Sequence, residues 1–172
     1  MNRILCTGNP NHQTIASGVK VLFPDADFAC RHTGYDLRMW SQETEKHFRE
    51  QIKHYNVLIN SSFISNGAQQ KILEITKEEW ASGHVINIGS TAEYEGRSSV
   101  IPQGYCIQKR ALRDLSISMN SSTFKTTHII AGGINDGIAG HEYWLDVIDV
   151  ARIIKFVLET NVSIPIIGIE KL

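Results

Sequence analysis

The chain has 172 residues, 42% of them hydrophobic and 20% charged, with 17 basic against 18 acidic side chains. That length is about one domain and can bury roughly two-thirds of its unfolded surface, while the near-zero net charge excludes a protein that blankets nucleic acid or an anionic membrane. No stretch approaches the roughly 20 apolar residues of a membrane span; the N-terminus runs into a polar loop with no secretory signal; and Cys6, Cys30 and Cys106 cannot all pair, so a reduced, cytoplasmic protein is expected.

In chain order, short apolar runs alternate with helical patterns. Residues 3–7 read as a strand, 11–23 as a helix closed by Pro24-Asp25, and 27–31 as a second strand. Within 41–55, Phe48, Ile52 and Tyr55 fall four and three apart, the stripe of a charged helix. Residues 56–60 read as a third strand and 66–81 as a helix that Gly83 is expected to stop. A fourth strand at 84–88 leads to a helix over 104–120 with Ile107, Leu112, Leu115 and Met119 on its apolar side. A fifth strand spans 127–131, and the helix over 146–160 carries the cleanest stripe, Val147, Val150, Ala151, Ile154, Val157 and Leu158. Residues 164–168 form a last strand, whose Pro165 is tolerable only near an edge or a strand start. No repeat or linker divides the chain, so residues 1–172 are expected as a single compact domain. Strand–helix alternation implies an α/β fold, a parallel sheet with helices on both faces. Right-handed crossovers make it doubly wound and Rossmann-like.

The loop Thr7-Gly8-Asn9-Pro10 leaves the first strand for a helix, the place where such folds hold phosphates on free N–H groups. Asn9 is expected as the N-cap, with Pro10 in the first turn. Only Gly8 of the usual glycine fingerprint is present; His12 or Asn11, and Thr14, stand at the other positions. Taken alone, the loop reads equally as a capped helix start and as a nucleotide loop.

More specific is Ser90 followed by Tyr105 and Lys109. Tyr105 and Lys109 are four apart on an expected helix and share one face. Ser90 follows the fourth strand at its C-terminal end, where open parallel sheets bind ligands. A tyrosine whose phenolate is favoured by a neighbouring ammonium, beside a hydroxyl donor, is a proton relay for interconverting a carbonyl and an alcohol. A bare Tyr-x-x-x-Lys also arises as an ordinary surface pair; the serine ahead of it, in this order, is what raises it.

On these residues the chain resembles the short-chain dehydrogenase/reductase family over nearly its whole length. Thr7-Gly8 resembles the start of the family's glycine loop. Residues 57–62 resemble its Asn-Asn-Ala-Gly segment, with only Asn60 retained. Ala131-Gly132-Gly133-Ile134 resembles its Pro-Gly turn. The resemblance implies an NAD(P)-dependent oxidoreductase acting on a small-molecule carbonyl or alcohol. Tyr105 would be the general acid/base, Ser90 would hold the substrate oxygen, Lys109 would lower the tyrosine's pKa, and Asn66 would hold a linking water. It also implies cofactor contacts from Thr7, Gly8, Asn9, Thr14, Ile15, Arg31, Asp36, Leu37, Asn60, Ser61, Tyr105, Lys109, Gly132 and Ile134. Arg31, some 20 residues past the loop, favours NADP(H), with NAD(H) possible; Asp27 sits at the wrong end of its strand to grip a ribose. A homo-dimer or homo-tetramer through the helices at 66–81 and 104–120 is implied, Leu115, Ile117 and Met119 offering more apolar surface than a monomer hides.

The chain is shorter than usual members. The nine residues between Arg31 and Ser41 leave no room for a helix and strand, so one outer strand is expected to be missing, leaving about six in the order 2-1-3-4-5-6. The substrate-covering segment is reduced to residues 135–145. Seven histidines show no metal-ligand spacing, so no metal is expected. Glu93 and Glu95 read as loop charges, Cys106 as a packed thiol, and Tyr143-Trp144 as either core or a lid anchor. Two alternatives stay open: a degenerate member acting as a nucleotide sensor or non-catalytic subunit, and a flavodoxin-like flavin binder, which leaves Tyr105 and Lys109 unexplained.

Overall fold

The computed structural model describes residues 2–63, 67–94 and 101–171. Six parallel strands alternate with five helices: β1 (Ile4–Thr7), α1 (Ile15–Leu22), β2 (Asp27–Ala29), α2 (Gln42–Ile52), β3 (Val57–Asn60), α3 (Ala68–Glu79), β4 (Gly83–Ile88), α4 (Gln103–Met119), β5 (Phe124–Ala131), α5 (Val147–Glu159) and β6 (Ile166–Ile169). The sheet runs in the order 2-1-3-4-5-6, every neighbour parallel. This is the doubly wound, Rossmann-like α/β fold expected. Between β2 and α2 there is no strand; two short 3-10 turns, Arg31–Thr33 and Leu37–Met39, fill the interval. No helix among the described residues is long and apolar enough to cross a membrane.

The two-residue period of the strands sorts the core into two layers. Leu5, Leu58 and Val85 face the side covered by α2, α3 and α4, where Phe48, Ile72 and Leu112 are fully buried. Ile4, Cys6, Val57, Ile59, Ile86 and Ile88 face α1 and α5, meeting Val19, Val150 and Ile154. A short apolar run in each strand therefore serves both layers, which is why these strands read as continuous rather than alternating.

Several local expectations are corrected. Asn9 does not cap α1. Its side chain accepts the Asn11 N–H at 2.9 Å in a turn of its own, and the helix begins after Thr14, whose N–H is taken by Ser17 Oγ at 3.3 Å. Gly83 does not stop α3. The helix ends at Glu79, and Trp80 turns inward, its indole N–H donating to Ile52 O at 2.8 Å. Gly83 instead opens β4, where a Cβ would overlap the Trp80 ring. On α4, Ile107 is 54% exposed rather than core, while Leu115 and Met119 pack on the monomer's own core and Ile117 stays exposed.

Candidate active site

The C-terminal edge of the sheet opens into a trench with three connected parts. Gly8, Asn9, Arg38 and Ser62 are shared by the first two, and Ile15, Ser61, Phe63 and Ile134 by the second two. The first part lies against the 3-10 turns, with Arg31, His32, Asp36 and Arg38. The second passes Thr14 and Ile15 at the N-terminus of α1. The third is a cavity of about 980 Å³ walled by Ser90, Tyr105, Lys109, Gly132, Ile134 and Trp144.

At the first bend Gly8 has φ 130°, a backbone state that glycine alone adopts without strain. Its N–H donates to Ala29 O at 3.0 Å, and the Ser61 and Ser62 hydroxyls lie 3.3 and 3.2 Å from where a Cβ would stand. Thr7 is fully buried, and its hydroxyl accepts the N–H groups of Ser61 and Ser62 at 2.9 and 3.0 Å. Ser61 Oγ in turn bonds Thr7 O. Thr7 therefore ties β1 to the chain leaving β3 and does not offer its hydroxyl to the trench. Leu37 is largely core, 4% exposed, but lines the first part of the trench beside Asp36. Asp36 accepts the Arg38 N–H and pairs with its guanidinium at 3.3 Å, which holds the carboxyl below its usual range.

At the other end, Ser90, Tyr105 and Lys109 come together as their spacing implies. Ser90 follows β4, and its Oγ accepts the Ala92 N–H at 3.2 Å. Because that oxygen accepts from the backbone, its own proton is left to act on the nearby Tyr105 phenol, whose ionised form it favours. Burial raises the Tyr105 phenol above its ordinary value, the Ser90 bond opposes the rise, and Cys106 and Glu93 add to it. The expected lowering by Lys109 is not what sets the phenol here; burial does. Lys109 is 3% exposed; its ammonium donates to Ile88 O at 2.7 Å and Gln69 Oε1 at 2.8 Å, and burial brings its pKa down to about 7, Glu93 acting the other way. Phe63 packs edge-on to Tyr105, ring centroids 4.5 Å apart, and lies over the ammonium.

Behind these groups runs a buried polar chain that sequence reasoning missed. Gln69 Nε2 donates to Asn60 O at 2.8 Å. Asn60 Nδ2 donates to Gln69 O and to Asn87 Oδ1, and Asn87 Nδ2 donates to Ser116 Oγ. Asn60 is fully buried and is spent on this network rather than on the trench. Gln69 Oε1 and Ile88 O are the partners of the Lys109 ammonium among the described residues; Asn66, expected to hold a linking water, lies outside them, as does Glu95. Asn87 and His128, each beside apolar residues at the C-terminal half of its strand, were a readable signal for this layer, whereas Gln69 gave none. Glu93 is no loop charge: it is 1% exposed and bonds His128 Nε2 at 2.9 Å. Neither Tyr143 nor Trp144 is core: Trp144 is 40% exposed, stacked on His141 at 3.5 Å and seated against Gly133, while Tyr143 is 84% exposed. No group of three metal-ligating side chains occurs among the described residues.

No family model and no curated protein matches the sequence. Solved structures do. NAD+-bound xylitol dehydrogenase superposes with a TM-score of 0.76 at 11% identity, covering 99% of this chain and 98% of that one. A short chain dehydrogenase from Burkholderia cenocepacia J2315 in complex with NADP gives 0.73 at 11% identity, covering 98% and 89%. Serine dehydrogenase from Escherichia coli gives 0.67 at 16%, covering 97% and 96%. The chain thus has the fold of the short-chain dehydrogenases/reductases.

Proposed function

We propose that the protein is an NAD(P)-dependent oxidoreductase interconverting a carbonyl and an alcohol. The observation that carries this reading is the convergence of Ser90, Tyr105 and Lys109 on one wall of a trench long enough to run from the β2 edge to β5. Solved neighbours with NAD+ or NADP bound support a nicotinamide dinucleotide as cofactor.

The residues present fit such a group. Gly8 brings bare backbone to the trench beside the N-terminus of α1, a setting for a pyrophosphate. Asn9, Thr14, Ile15 and Ser61 line the same stretch; Gly132 and Ile134 line the cavity opposite Tyr105. Arg31, Arg38, His12 and His32 surround the far end, where the one carboxylate, Asp36, is paired with Arg38. This balance favours NADP(H) over NAD(H). When bound, the dihydronicotinamide supplies the hydride.

The chain's own residues supply the rest. Ser90 donates a hydrogen bond to the substrate oxygen, and Tyr105 gives that oxygen its proton in reduction or accepts one in oxidation. Burial keeps the phenol protonated at neutral pH, which favours the reducing direction. Lys109 re-supplies charge beside the phenol and is placed to hold ribose hydroxyls once it leaves Ile88 O. Trp144 and Phe63 narrow the water access of the cavity. The covering of Lys109 by Phe63 favours a second reading, a nucleotide sensor without turnover. A homo-dimer or homo-tetramer through α3 and α4 belongs to the same proposal, supported by exposed Ile107 and Ile117, and so does a cytoplasmic setting, supported by three free cysteines. A monomer by light scattering would remove the former.

The test is deuteride transfer from labelled NADPH to a panel of aldehydes and ketones. Labelled alcohol with a fixed stereochemistry supports the oxidoreductase. Tight NADPH binding with no labelled product from any carbonyl supports the sensor.

A further inference from the structure

Directly behind Ser90 lies a buried charge cluster that the proposed relay does not use. The turn Thr91–Glu93 is capped at its start by Ser90: its carbonyl accepts the Glu93 N–H at 3.0 Å, and its hydroxyl accepts the Ala92 N–H. Glu93 at the end of the turn reaches back into the sheet. There its Oε2 meets His128 Nε2 at 2.9 Å, both side chains fully enclosed, and Arg113 of α4 approaches Oε1 at 3.6 Å. The imidazole occupies the space beside Gly89 where any Cβ would overlap it.

We propose that Glu93, His128 and Arg113 form a brace in which the Glu93 carboxylate is a positioning residue, fixing the turn that orients the Ser90 hydroxyl and acting as the counter-charge of Lys109. The proposal rests on reading Ser90, Tyr105 and Lys109 as a working relay.

The proton arrangement follows from the partners. His128 Nδ1 has no hydrogen-bond partner among the described residues. The ring therefore meets its surroundings through Nε2 alone, and Glu93 Oε1 is likewise without a hydrogen bond. A carboxylate buried this deeply calls for cations beside it. The groups facing it are Tyr105, Lys109 and Arg113 from α4 and His128 from β5. Arg113 is shared with Asp114, on the solvent side. Lys109 is the other cation, and it needs the help: burial strips its proton preference, and Glu93 restores part of it. The same carboxylate holds the Tyr105 proton in place. One buried anion thus biases both relay groups toward their protonated forms, at the cost of a fixed turn and a glycine at position 89.

The brace is tested by carbon NMR titration of the Lys109 side chain in the free protein, assigned by its loss in Lys109→Met. Removing the anion in Glu93→Gln is expected to lower the Lys109 midpoint by roughly half a unit or more, and removing the cation in Arg113→Met to raise it. A general loosening of the fold would move both the same way, so same-sign shifts, or no shift in either, overturn the proposal. Should Glu93→Gln not fold, an unmoved midpoint in Arg113→Met overturns it alone. A second arm reads the serine. His128→Leu, which leaves Glu93 without its donor, is expected to lower kcat about tenfold with KM within twofold. His128→Gln, which restores an N–H, is expected to recover most of it. Equal kcat in the Leu and Gln variants overturns the positioning role. If the wild type has no turnover, the titration still decides the brace, so the two failures are read separately.

Discussion

The two ends of the trench are built differently. Around Ser90, Tyr105 and Lys109 the walls are strand ends and a long helix, backed inside the fold by side-chain amides bonded to one another and by a carboxylate bonded to His128. Around Arg31 and Arg38 they are two single-turn 3-10 segments, and the polar groups there are exposed and paired locally. Groups that must hold a proton at one atom benefit from a scaffold that leaves no alternative geometry. Groups that contribute only charge to a ligand's far end tolerate a loose one. The contrast predicts that changes at the buried end act on turnover and protonation, and changes at the exposed end act on affinity and cofactor choice.

The largest separation is expected from Tyr105→Phe, which removes the transferable proton and keeps the ring against Phe63. Turnover should fall roughly 100- to 10,000-fold while the dissociation constant for NADPH, measured by fluorescence titration, stays within about twofold. Equal losses in both would erase the distinction between the two ends.

Lys109 gives the next effect, in stability. Its folded pKa of about 7 lies below the value of a free lysine, so between the two the unfolded chain binds more protons. Stability therefore rises with pH above 7 and is penalised below it. Denaturant unfolding of the wild type should gain up to about 1.4 kcal/mol per pH unit between roughly pH 7 and 9 from this one group, and Lys109→Met should lose that slope. An unchanged slope would mean that the lysine is not buried as a cation.

Gly8→Val is expected to weaken dinucleotide binding by about tenfold or more. It forces a β-branched residue to φ 130° with Ala16 Cβ at 3.1 Å and the Ser61 and Ser62 hydroxyls nearby. Calorimetric titration reads the loss. The smallest effect belongs to the exposed charges: Arg31→Ser with Arg38→Ser should shift the NADPH-to-NADH affinity ratio toward NADH by about tenfold or less, and the difference should shrink in high salt. A ratio unaffected by both substitutions would move cofactor choice elsewhere.

How legible each end was in the sequence follows the same division. The parallel α/β class came from alternation alone, because each strand's apolar run is dictated by burial on two faces and each helix's stripe by burial on one; the strand order came from the family resemblance less one outer strand. Tyr105 and Lys109 were legible because one helix carries both. The start of α1 was not, since Asn9 and Thr14 are both good caps and the choice depends on how the chain turns at Gly8. Nor was the layer beneath the site. Gln69 and Asn87 are joined through Asn60 from different elements, Glu93 and His128 pair separately, and no local pattern links a glutamate after β4 to a histidine in β5. Glu93 looked like a loop charge because the turn that buries it is only three residues long.

The central claim is that one continuous trench holds a nicotinamide dinucleotide with its reactive ring at the Tyr105 end. Trp144 stands in that cavity wall, whereas Trp80 is buried in the core beneath α3 and Trp40 packs beside Phe48. Energy transfer from tryptophan to bound NADPH tests the claim directly. The account predicts sensitised nicotinamide emission in the wild type and in Tyr105→Phe, and its loss in Trp144→Phe with NADPH still bound. No binding at millimolar NADPH, or transfer that survives in Trp144→Phe, would contradict it.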